Sequence, residues 1–470
     1  MNRTDTPTPV LDRQEDTLAT RVAAAGGQLY RVGGVIRDEL LGTPSKDVDY
    51  LVTGIPDREI NAALAPALID EVGQHFGVRK ARLLGEDGDV LGDVVDIALP
   101  RTEVSTGAGH SAFEVRFDHT LDVADDLARR DFTMNALARN VHTGELIDPF
   151  GGQEDLRRGV LRCVGNASAR LEEDIIRAWR GARFIARLNL EPSSTLRLAA
   201  ESQRDLISTV PAERIWSELY GAAKGAHFAS GVAFLIDTGL LDLSLPEWTA
   251  ARGFDQCNRY HCDPVDRHIL AVVARLDAQG ASPEAKLAGL FHDLGKPATF
   301  TVDAAGQGHF YGHDDVGADL ARARLSALKA PSDVVDRVEL LVREHMNLPV
   351  TCGEKAVRRM INRLGDALDD YLHLWTADRL AHVGVNGGDI LAFAQSVRDL
   401  AASPDVPRGK DERDLALRGD EIAALTGARG SAIGAAKKHL AALWFAGDVP
   451  NDRDALIARL HADGFVPTGR

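Results

Sequence analysis

Hydrophobic patterning changes near residue 150, and that change limits the folds open to this chain more than any other feature. From Gln28 to Phe150 short β-branched runs, "LYRVGG", "VDYLVTG", "DVVDIAL" and "GELIDPF", alternate with helical patterns such as Ile60 to Phe76. Period-two runs bounded by glycine and proline read as strands, and helices between them make a mixed α/β unit. After "DPFGG" the pattern is helical almost to the end, broken near Pro192, Pro211, Pro246, Pro283, Pro331, Pro349 and Pro404, where proline lacks an N–H and fixes φ. The expected fold class is α+β: an α/β head followed by a long all-α body. No fixed-period repeat is evident.

At 470 residues the chain should hold roughly three or four modules. Its first residues, "MNRTDTPTPVLDRQEDT", are polar, and residues 1 to about 20 are expected to be disordered. That segment has no apolar core of a leader, and no stretch approaches the ~20 apolar residues that span a bilayer. A soluble, cytoplasmic protein is the expectation. Four cysteines, Cys163, Cys257, Cys262 and Cys352, make no disulfide framework, which agrees with a reducing compartment. Cys257 and Cys262 lack the second pair a zinc site needs.

A formal charge of −16 argues against a surface that coats nucleic acid, though not against a local basic groove. Such a groove has a source between Arg157 and Arg187, where eight arginines stand against Glu172, Glu173 and Asp174.

The head carries the chemistry. "LYRV" reads as a strand, Gly33-Gly34 as its exit, and "VIRDELL" as a helix stopped by Gly42 with Pro44 beyond. Glycines at a helix start let backbone N–H groups approach an anion such as a triphosphate. If "DVDYLV" is a strand, Asp47 and Asp49 share one face and Val48, Tyr50 and Val52 the other. Two carboxylates so close call for a cation; Mg²⁺ takes oxygen ligands and keeps positions open for phosphate, so a two-metal phosphoryl-transfer site is expected. Asp96, in "DVVDIALPRTE", is a candidate third acid on a neighbouring strand.

Further clusters follow. "DDLARRDFTMNALA" holds Arg129, Arg130, Asp131 and Asn135, and "EEDIIRAWRGARF" sets Asp174, Arg177, Arg180 and Arg183 three residues apart. Each step of three slips by about 60° on a helix, so the four should share one broad side. Asp174 can only accept hydrogen bonds and Arg177 can only donate. Cytosine and adenine both offer an exocyclic amine beside a ring-nitrogen acceptor, whereas guanine and uracil offer a carbonyl beside an N–H. The pair therefore matches C and A, and each unpaired group with G or U costs roughly 1–3 kcal/mol.

Taken together, GG-x-x-RD (Gly33 to Asp38), D-x-D (Asp47, Asp49), RRD-x-x-x-NA (Arg129 to Ala136), ED-x-x-R (Glu173 to Arg177) and "ERIWSEL" (Glu213 to Leu219) make the chain resemble class II tRNA nucleotidyltransferases. These are the CCA-adding enzymes of the bacterial poly(A) polymerase family. The resemblance implies Mg²⁺ on Asp47 and Asp49, which would be the catalytic residues, and nucleotide contacts from Gly33, Gly34, Arg37, Arg130, Asp174, Arg177, Arg180 and Arg183. It implies template-independent addition of CCA to tRNA from CTP and ATP, with pyrophosphate released. Poly(A) addition, or addition of only CC or only A, remains an alternative with nearly the same motifs. There are two departures: Ile175 stands where the family commonly has proline, and Val104, in a segment resembling the one used to switch from C to A, where a basic residue is expected.

Downstream, "QCNRYHCDPVDRHIL", "FHDLGK", "YGHDDVGADLA", "REHM" and "WTADRLAH" resemble an HD domain, a helical metal-dependent phosphohydrolase fold. The resemblance implies His268, His292, Asp293 and Asp378 around one metal, with His313 and His345 serving a second. Mixed nitrogen and oxygen donors suit a transition metal. An HD phosphohydrolase whose head only binds RNA is the alternative of another class. The expected modules are a nucleotidyltransferase head at 21–152, a helical neck at 153–250, the HD domain at 251–385 and a helical tRNA-binding tail at 386–470. No protein partner and no membrane association are evident.

Overall fold

The structure, a computed structural model, describes residues 10–44, 48–70, 78–85, 87–105, 113–256, 263–348 and 352–465. The chain forms two compact units, Met1–Ser244 and Leu245–Arg470.

In the first unit helix α1 (Val10–Ala24) precedes strand β1 (Gln28–Val32), helix α2 (Gly34–Leu40), strand β2 (Asp49–Thr53), helix α3 (Asp57–Leu64) and strands β3 (Ala67–Asp70), β4 (Val78–Leu83) and β5 (Val95–Ala98). A separate ribbon, β6 (Arg101–Ser105) with β7 (Phe113–Phe117), leads to α4 (Val123–Ala128), a 3-10 turn at Thr133–Asn135, and strands β8 (Ala138–Asn140) and β9 (Leu146–Ile147). Seven strands lie in the order β3-β4-β5-β2-β1-β8-β9. Within that sheet β2 and β5 are parallel and the other neighbours antiparallel.

Alternation along β2 builds both faces. Tyr50 and Val52 join Leu18, Val22, Ile60, Leu64, Leu83 and Ile97 in one core, under α1 and α3. Leu51 joins Val32, Val123, Leu127, Ala136 and Val164 in the other. Burying each large aliphatic side chain contributes about 1.5–3 kcal/mol, so β2 is held from both sides.

Two expectations fail here. The helix read over Ile60 to Phe76 ends at Leu64: Ala65 takes ψ 145° because the ring of Pro66 excludes the α region for the residue before it. The chain then pairs as β3 with β4, Ile69 opposite Ala81; residues 71–77 lie outside the described residues. Nor is all of 1–20 disordered. Residues 10–20 belong to α1, where Leu18 and Val22, one turn apart, are fully buried.

The rest of the first unit is helical: α5 (Gly152–Arg158), α6 (Ala167–Glu173), α7 (Ile176–Leu188), α8 (Ser194–Ser202), α9 (Ala212–Ala223), α10 (Phe228–Asp237) and α11 (Leu240–Ser244), with one short parallel pairing of β10 (Val160–Leu161) and β11 (Glu191–Pro192). Helix α7 is central, packed by α9 and α10 and burying Ile176, Trp179, Ala182 and Ile185.

The second unit comprises α12 (Glu247–Ala251), α13 (Val265–Ala278), α14 (Pro283–Phe291), α15 (Lys296–Thr299), the ribbon β12 (Thr301–Val302) with β13 (Gly308–His309), α16 (His313–Ala327), α17 (Ser332–Glu344), α18 (Glu354–Leu364), α19 (Leu368–Ala381) and α20 (Gly387–Ala401). Helices α21 (Gly419–Thr426), α22 (Ser431–Phe445) and α23 (Arg453–Ala462) close it around Leu417, Ile422, Leu440, Leu456 and Leu460. Ser282 caps α14 by accepting from the Ala285 amide, with Pro283 in the first turn, an arrangement that fixes where this helix starts.

Candidate functional site

In the first unit a cleft of about 600 Å³ is lined by Asp49, Asp96, Asp131 and Asp174 and by Arg37, Arg101, Arg129, Arg130, Arg177, Arg180 and Arg214. The excess of arginine makes this cleft positive in a chain of charge −16. Asp49 and Asp96 stand abreast in the parallel register of β2 and β5, so the candidate third acid does neighbour the D-x-D strand. Lys80 Nζ approaches Asp96 Oδ1 at 3.1 Å. Asp47 lies outside the described residues. Carboxylate oxygens alone form the donor set, which fits a hard divalent cation.

Gly33 caps α2 at φ 78°, a backbone conformation that favours glycine, and a Cβ there would fall 2.6 Å from Arg130 Nη1 and displace that guanidinium. Gly34 lines the cleft beside it. Arg130 donates to the Asn135 carbonyl (3.3 Å) and to Asp126 Oδ2 (3.4 Å). Asp126, fully buried on α4, also takes Arg129 through Nε and Nη2 at 2.9 and 2.7 Å. Arg37 is only 5% exposed; its guanidinium is committed to Asp38 Oδ1 and, at 2.8 Å, to Asn135 Oδ1. It braces α2 against the RRD segment.

Asp174 is not on the helix with its arginines. It ends α6 at φ −158°, ψ 100°, Ile175 caps α7, and Asp174 Oδ1 accepts from the Ile176 amide at 3.4 Å. Periodicity reads through such a junction without showing it. The cleft nevertheless receives Asp174, Arg177 and Arg180 together. From α9, Arg214 grips Asp174 with two bonds, Nη2 to Oδ2 at 2.7 Å and Nη1 to Oδ1 at 3.3 Å. Arg177 uses Nη1 for Glu173 and for the Arg170 carbonyl. Arg180 pairs with Asp131 (2.8 Å). Burial alone would raise the Asp131 carboxyl, but the Arg180 guanidinium with the Asn135 and Phe132 donors holds it below its usual range. Arg183 does not line the cleft; it pairs with Glu218 and lies 4.7 Å over the Phe184 ring.

In the second unit His268 from α13, His292 and Asp293 after α14, His313 and His345 at the ends of α16 and α17, and Asp378 and His382 from α19 converge. His268 Nε2 lies 3.1 Å from Asp378 Oδ1 and 3.3 Å from Asp293 Oδ2, and His313 Nε2 lies 3.4 Å from Asp293 Oδ1. The Nδ1 atoms of His292, His313 and His345 each meet a backbone carbonyl, of Gly289, Phe310 and Val342, at 2.6–2.8 Å. A donating Nδ1–H leaves the Nε2 lone pair for a metal. Gly295 permits the close approach of α16, since a Cβ there would be 2.2 Å from the His313 carbonyl oxygen.

The two carboxylates favour a positive charge between them: burial opposes protonation of the His292 ring, but Asp293 and Asp378 raise it above its usual range. Burial opposes ionisation of Asp293, but His292 and Lys296, whose Nζ is 2.6 Å from Oδ2, hold its carboxyl well below the usual range. Asp378 is likewise well below it, with hydrogen bonds from His268 and His382 outweighing burial. His345 is pulled down to about 3 by burial and by His292 and His313, which keeps its ring neutral, as a ligand must be. Asp126, Arg214 and His382 were missed from sequence. Arg214 and Glu218 lie one turn apart in "ERIWSEL", and His382 one turn beyond Asp378; that spacing was the available signal. Cys257 and Cys262 lie outside the described residues. No helix among the described residues is long and apolar enough to cross a membrane.

Oxygen donors beside so many anchored guanidinium groups serve transfer to or from a polyphosphate, and the fold and site define a nucleotidyltransferase with a metal-binding helical unit. Comparison with known proteins agrees. A poly A polymerase head domain matches residues 29–162, a probable RNA and SrmB-binding site of polymerase A residues 189–252, and an HD domain residues 265–371. The chain is 33% identical over 444 residues to the A-adding tRNA nucleotidyltransferase of Deinococcus radiodurans, covering 91% of this chain and 94% of that one. It is 37% identical over 321 residues to the multifunctional CCA protein of Azoarcus sp., covering 67% and 73%. Its fold is similar to that of the Bacillus stearothermophilus CCA-adding enzyme in complex with CTP, with TM-score 0.68, 24% identity and coverage of 97% and 98%. The chain belongs to the tRNA nucleotidyltransferase/poly(A) polymerase family, and its chemistry depends on a divalent metal.

Proposed function

We propose that this nucleotidyltransferase completes the 3′ end of tRNA by template-independent addition of C, C and A from CTP and ATP. The observation that carries the reading is that Asp174 and Arg177 open onto the same cleft as Asp49 and Asp96. The oxygens of Asp174 keep lone pairs beyond those given to Arg214 and Ile176, so they can accept an exocyclic amine. Among the described residues the hydrogen bonds of the Arg177 guanidinium leave from Nη1, and its other nitrogens can donate to a ring nitrogen. The terminal 3′-oxygen of tRNA attacks the α-phosphorus, a new P–O bond forms, the α–β P–O bond breaks and pyrophosphate leaves. Arg130 and the amides after Gly33 neutralise phosphate charge. A divalent cation, Mg²⁺ on this reading, held by Asp47, Asp49 and Asp96, would polarise the phosphate and lower the pKa of the attacking hydroxyl. Arg183 acts by holding its neighbours rather than by touching nucleotide, whereas Arg37 both braces α2 and lines the cleft where a nucleotide would lie.

Incubation of tRNA ending at the discriminator base with single labelled nucleotides, then pairs, tests this. CTP before ATP, stopping after three additions, is the expected result; GTP or UTP incorporation at comparable rates contradicts it. A second reading, addition of the terminal A alone, is favoured by the name of the Deinococcus radiodurans relative. It predicts ATP incorporation on tRNA ending in CC and no CTP incorporation on any substrate.

For the HD domain at 265–371 we propose hydrolysis of a phosphate ester. His268, His292, Asp293 and Asp378 would hold a transition metal supplying Lewis acidity toward a phosphate oxygen, with His313, His345 and His382 close enough to share it. Water adds to phosphorus, the ester P–O bond breaks and the alcohol leaves with a proton. Release of phosphate that vanishes in Asp293→Ala while nucleotide addition persists is the supporting outcome.

A further inference from the structure

The sheet face that carries Asp49 and Asp96 does not end at these two acids. Register places Lys80 of β4 opposite Asp96 and Leu68 of β3 opposite Arg82, and alternation puts Arg82 on the same face as Lys80. A second cavity, of about 340 Å³, opens there, lined by Leu68, Ile69, Lys80, Arg82 and Val94. Lys80, 3.1 Å from Asp96, joins it to the cleft. The opposite face of these strands is closed. Ala81, Leu83 and Ile97 are fully buried there in the core under α1 and α3, and Arg79 on that face is bonded to Asp57 and Asn61. The face with the cavity is bare by contrast: Leu68 is 60% exposed, the Lys80 side chain 52%, and Arg82 is exposed and pairs with no acid among the described residues.

Sheet order gives this face a direction. Strand β1, which leads into the Gly33-Gly34 turn proposed for the triphosphate, lies on one side of β2, whereas β5, β4 and β3 lie on the other. In-line displacement puts the attacking oxygen opposite the leaving pyrophosphate. An RNA 3′-oxygen therefore arrives over β5, beside Asp96, and the strand behind it runs over β4 and β3. Lys80 and Arg82 stand two residues apart, about 6.7 Å along the strand, a step that one nucleotide can span, and a line of exposed cations is what a nucleic-acid backbone follows. We propose that Lys80 and Arg82 form the track for the attacking strand, each taking one backbone phosphate just before the 3′ end, with sugars resting on Leu68 and Val94. This placement rests on the proposed attack by an RNA 3′-oxygen and adds the residues that hold the strand for it.

The test gives the full chain, with Mg²⁺, the nucleotide it incorporates and tRNA acceptors whose last few linkages before the 3′ end are either phosphates or uncharged methylphosphonates. On the all-phosphate RNA, Arg82→Ala should raise KM for RNA about three- to tenfold, the worth of one hydrogen bond to a charged group, while KM for the nucleotide stays where it was. Arg82→Lys should recover part of the loss. On the neutral linkages the parent and Arg82→Ala should share one raised KM, because the variant then has no phosphate contact left to lose. Lys80→Met should raise KM for RNA as well, and the double variant should flatten the log–log salt dependence of RNA affinity by about 1.4, roughly 0.7 for each phosphate of a single strand. An unchanged KM for RNA, a rise in KM for the nucleotide instead, or an Arg82→Ala loss that persists in full on the neutral linkages overturns the proposal. If the parent adds only a terminal A, or nothing, the CCA reading fails by itself. RNA binding then decides the track separately: a salt slope lowered by about 0.7 in Arg82→Ala supports it, and an unchanged slope overturns it.

Discussion

In the cleft of the first unit, Arg130, Arg177, Arg180 and Arg214 each rest on an acid: Asp126, Glu173, Asp131 and Asp174. In the cavity of the second unit, three imidazoles rest on backbone carbonyls instead. Backbone acceptors orient a ring without spending a charge and leave its Nε2 for a metal. Side-chain acids hold guanidinium groups at fixed places yet keep lone pairs and donors facing the cleft. On the proposed reading the second arrangement suits metal binding, and the first suits ligands that differ in base but share a polyphosphate.

If the two sites are chemically separate, Asp49→Ala should lower nucleotide addition on the order of 1,000-fold or more, as loss of several kcal/mol of metal-assisted stabilisation requires. Phosphate release from the second site should continue, and Asp293→Ala should show the reverse. Loss of both activities in either variant would break the comparison.

Stability should separate the sites next. Asp131→Asn removes the buried partner of a pair whose arginine is 38% exposed and should cost about 1–2 kcal/mol, read by denaturant unfolding. The sign with pH follows from its lowered folded-state value. The ionised carboxylate stabilises fully above its unfolded value of about 3.9, and that contribution is lost as pH falls below it through the folded value. Asp131→Asn should therefore flatten the acid limb of the stability profile.

His382→Ala should weaken divalent-metal binding to the second unit about 10- to 100-fold, measured by calorimetry, without altering nucleotide choice. Arg214→Ala should do the opposite. With Asp174 no longer clamped, selectivity for CTP over UTP should fall about tenfold, one poorly placed hydrogen bond, with Arg214→Lys recovering part of it. Unchanged selectivity would mean that the bidentate grip is not what orients Asp174.

The contrast also shows which parts were legible in the sequence. Strands β1, β2 and β5 were readable because each alternates or runs β-branched between glycines, and the clustered His and Asp positions because their motifs are short and adjacent. Strand β3 was hidden: Ile60 to Leu64 sets a helical pattern that continues past Pro66, and only pairing with β4 shows otherwise. Helix α1 was lost under polar composition, although Leu18 and Val22 carry its buried face. Asp174 was found, but its place between two helices was not, since a three-residue spacing is the same with or without a break before α7. Arg214 acts through tertiary contact with Asp174, 40 positions away, and the His382 ring stacks on that of His268 from another helix, relations no local period records, whereas Asp126 meets Arg130 one turn on and could have been read from spacing.

The most direct measurement is a crystal structure of the protein with CTP and Mg²⁺. The account predicts the cytosine amine within hydrogen-bond distance of the Asp174 carboxylate, its ring nitrogen within reach of Arg177, and the triphosphate beside Asp49. A cytosine bound away from both side chains, with Asp174 still closed on Arg214 alone, would contradict it.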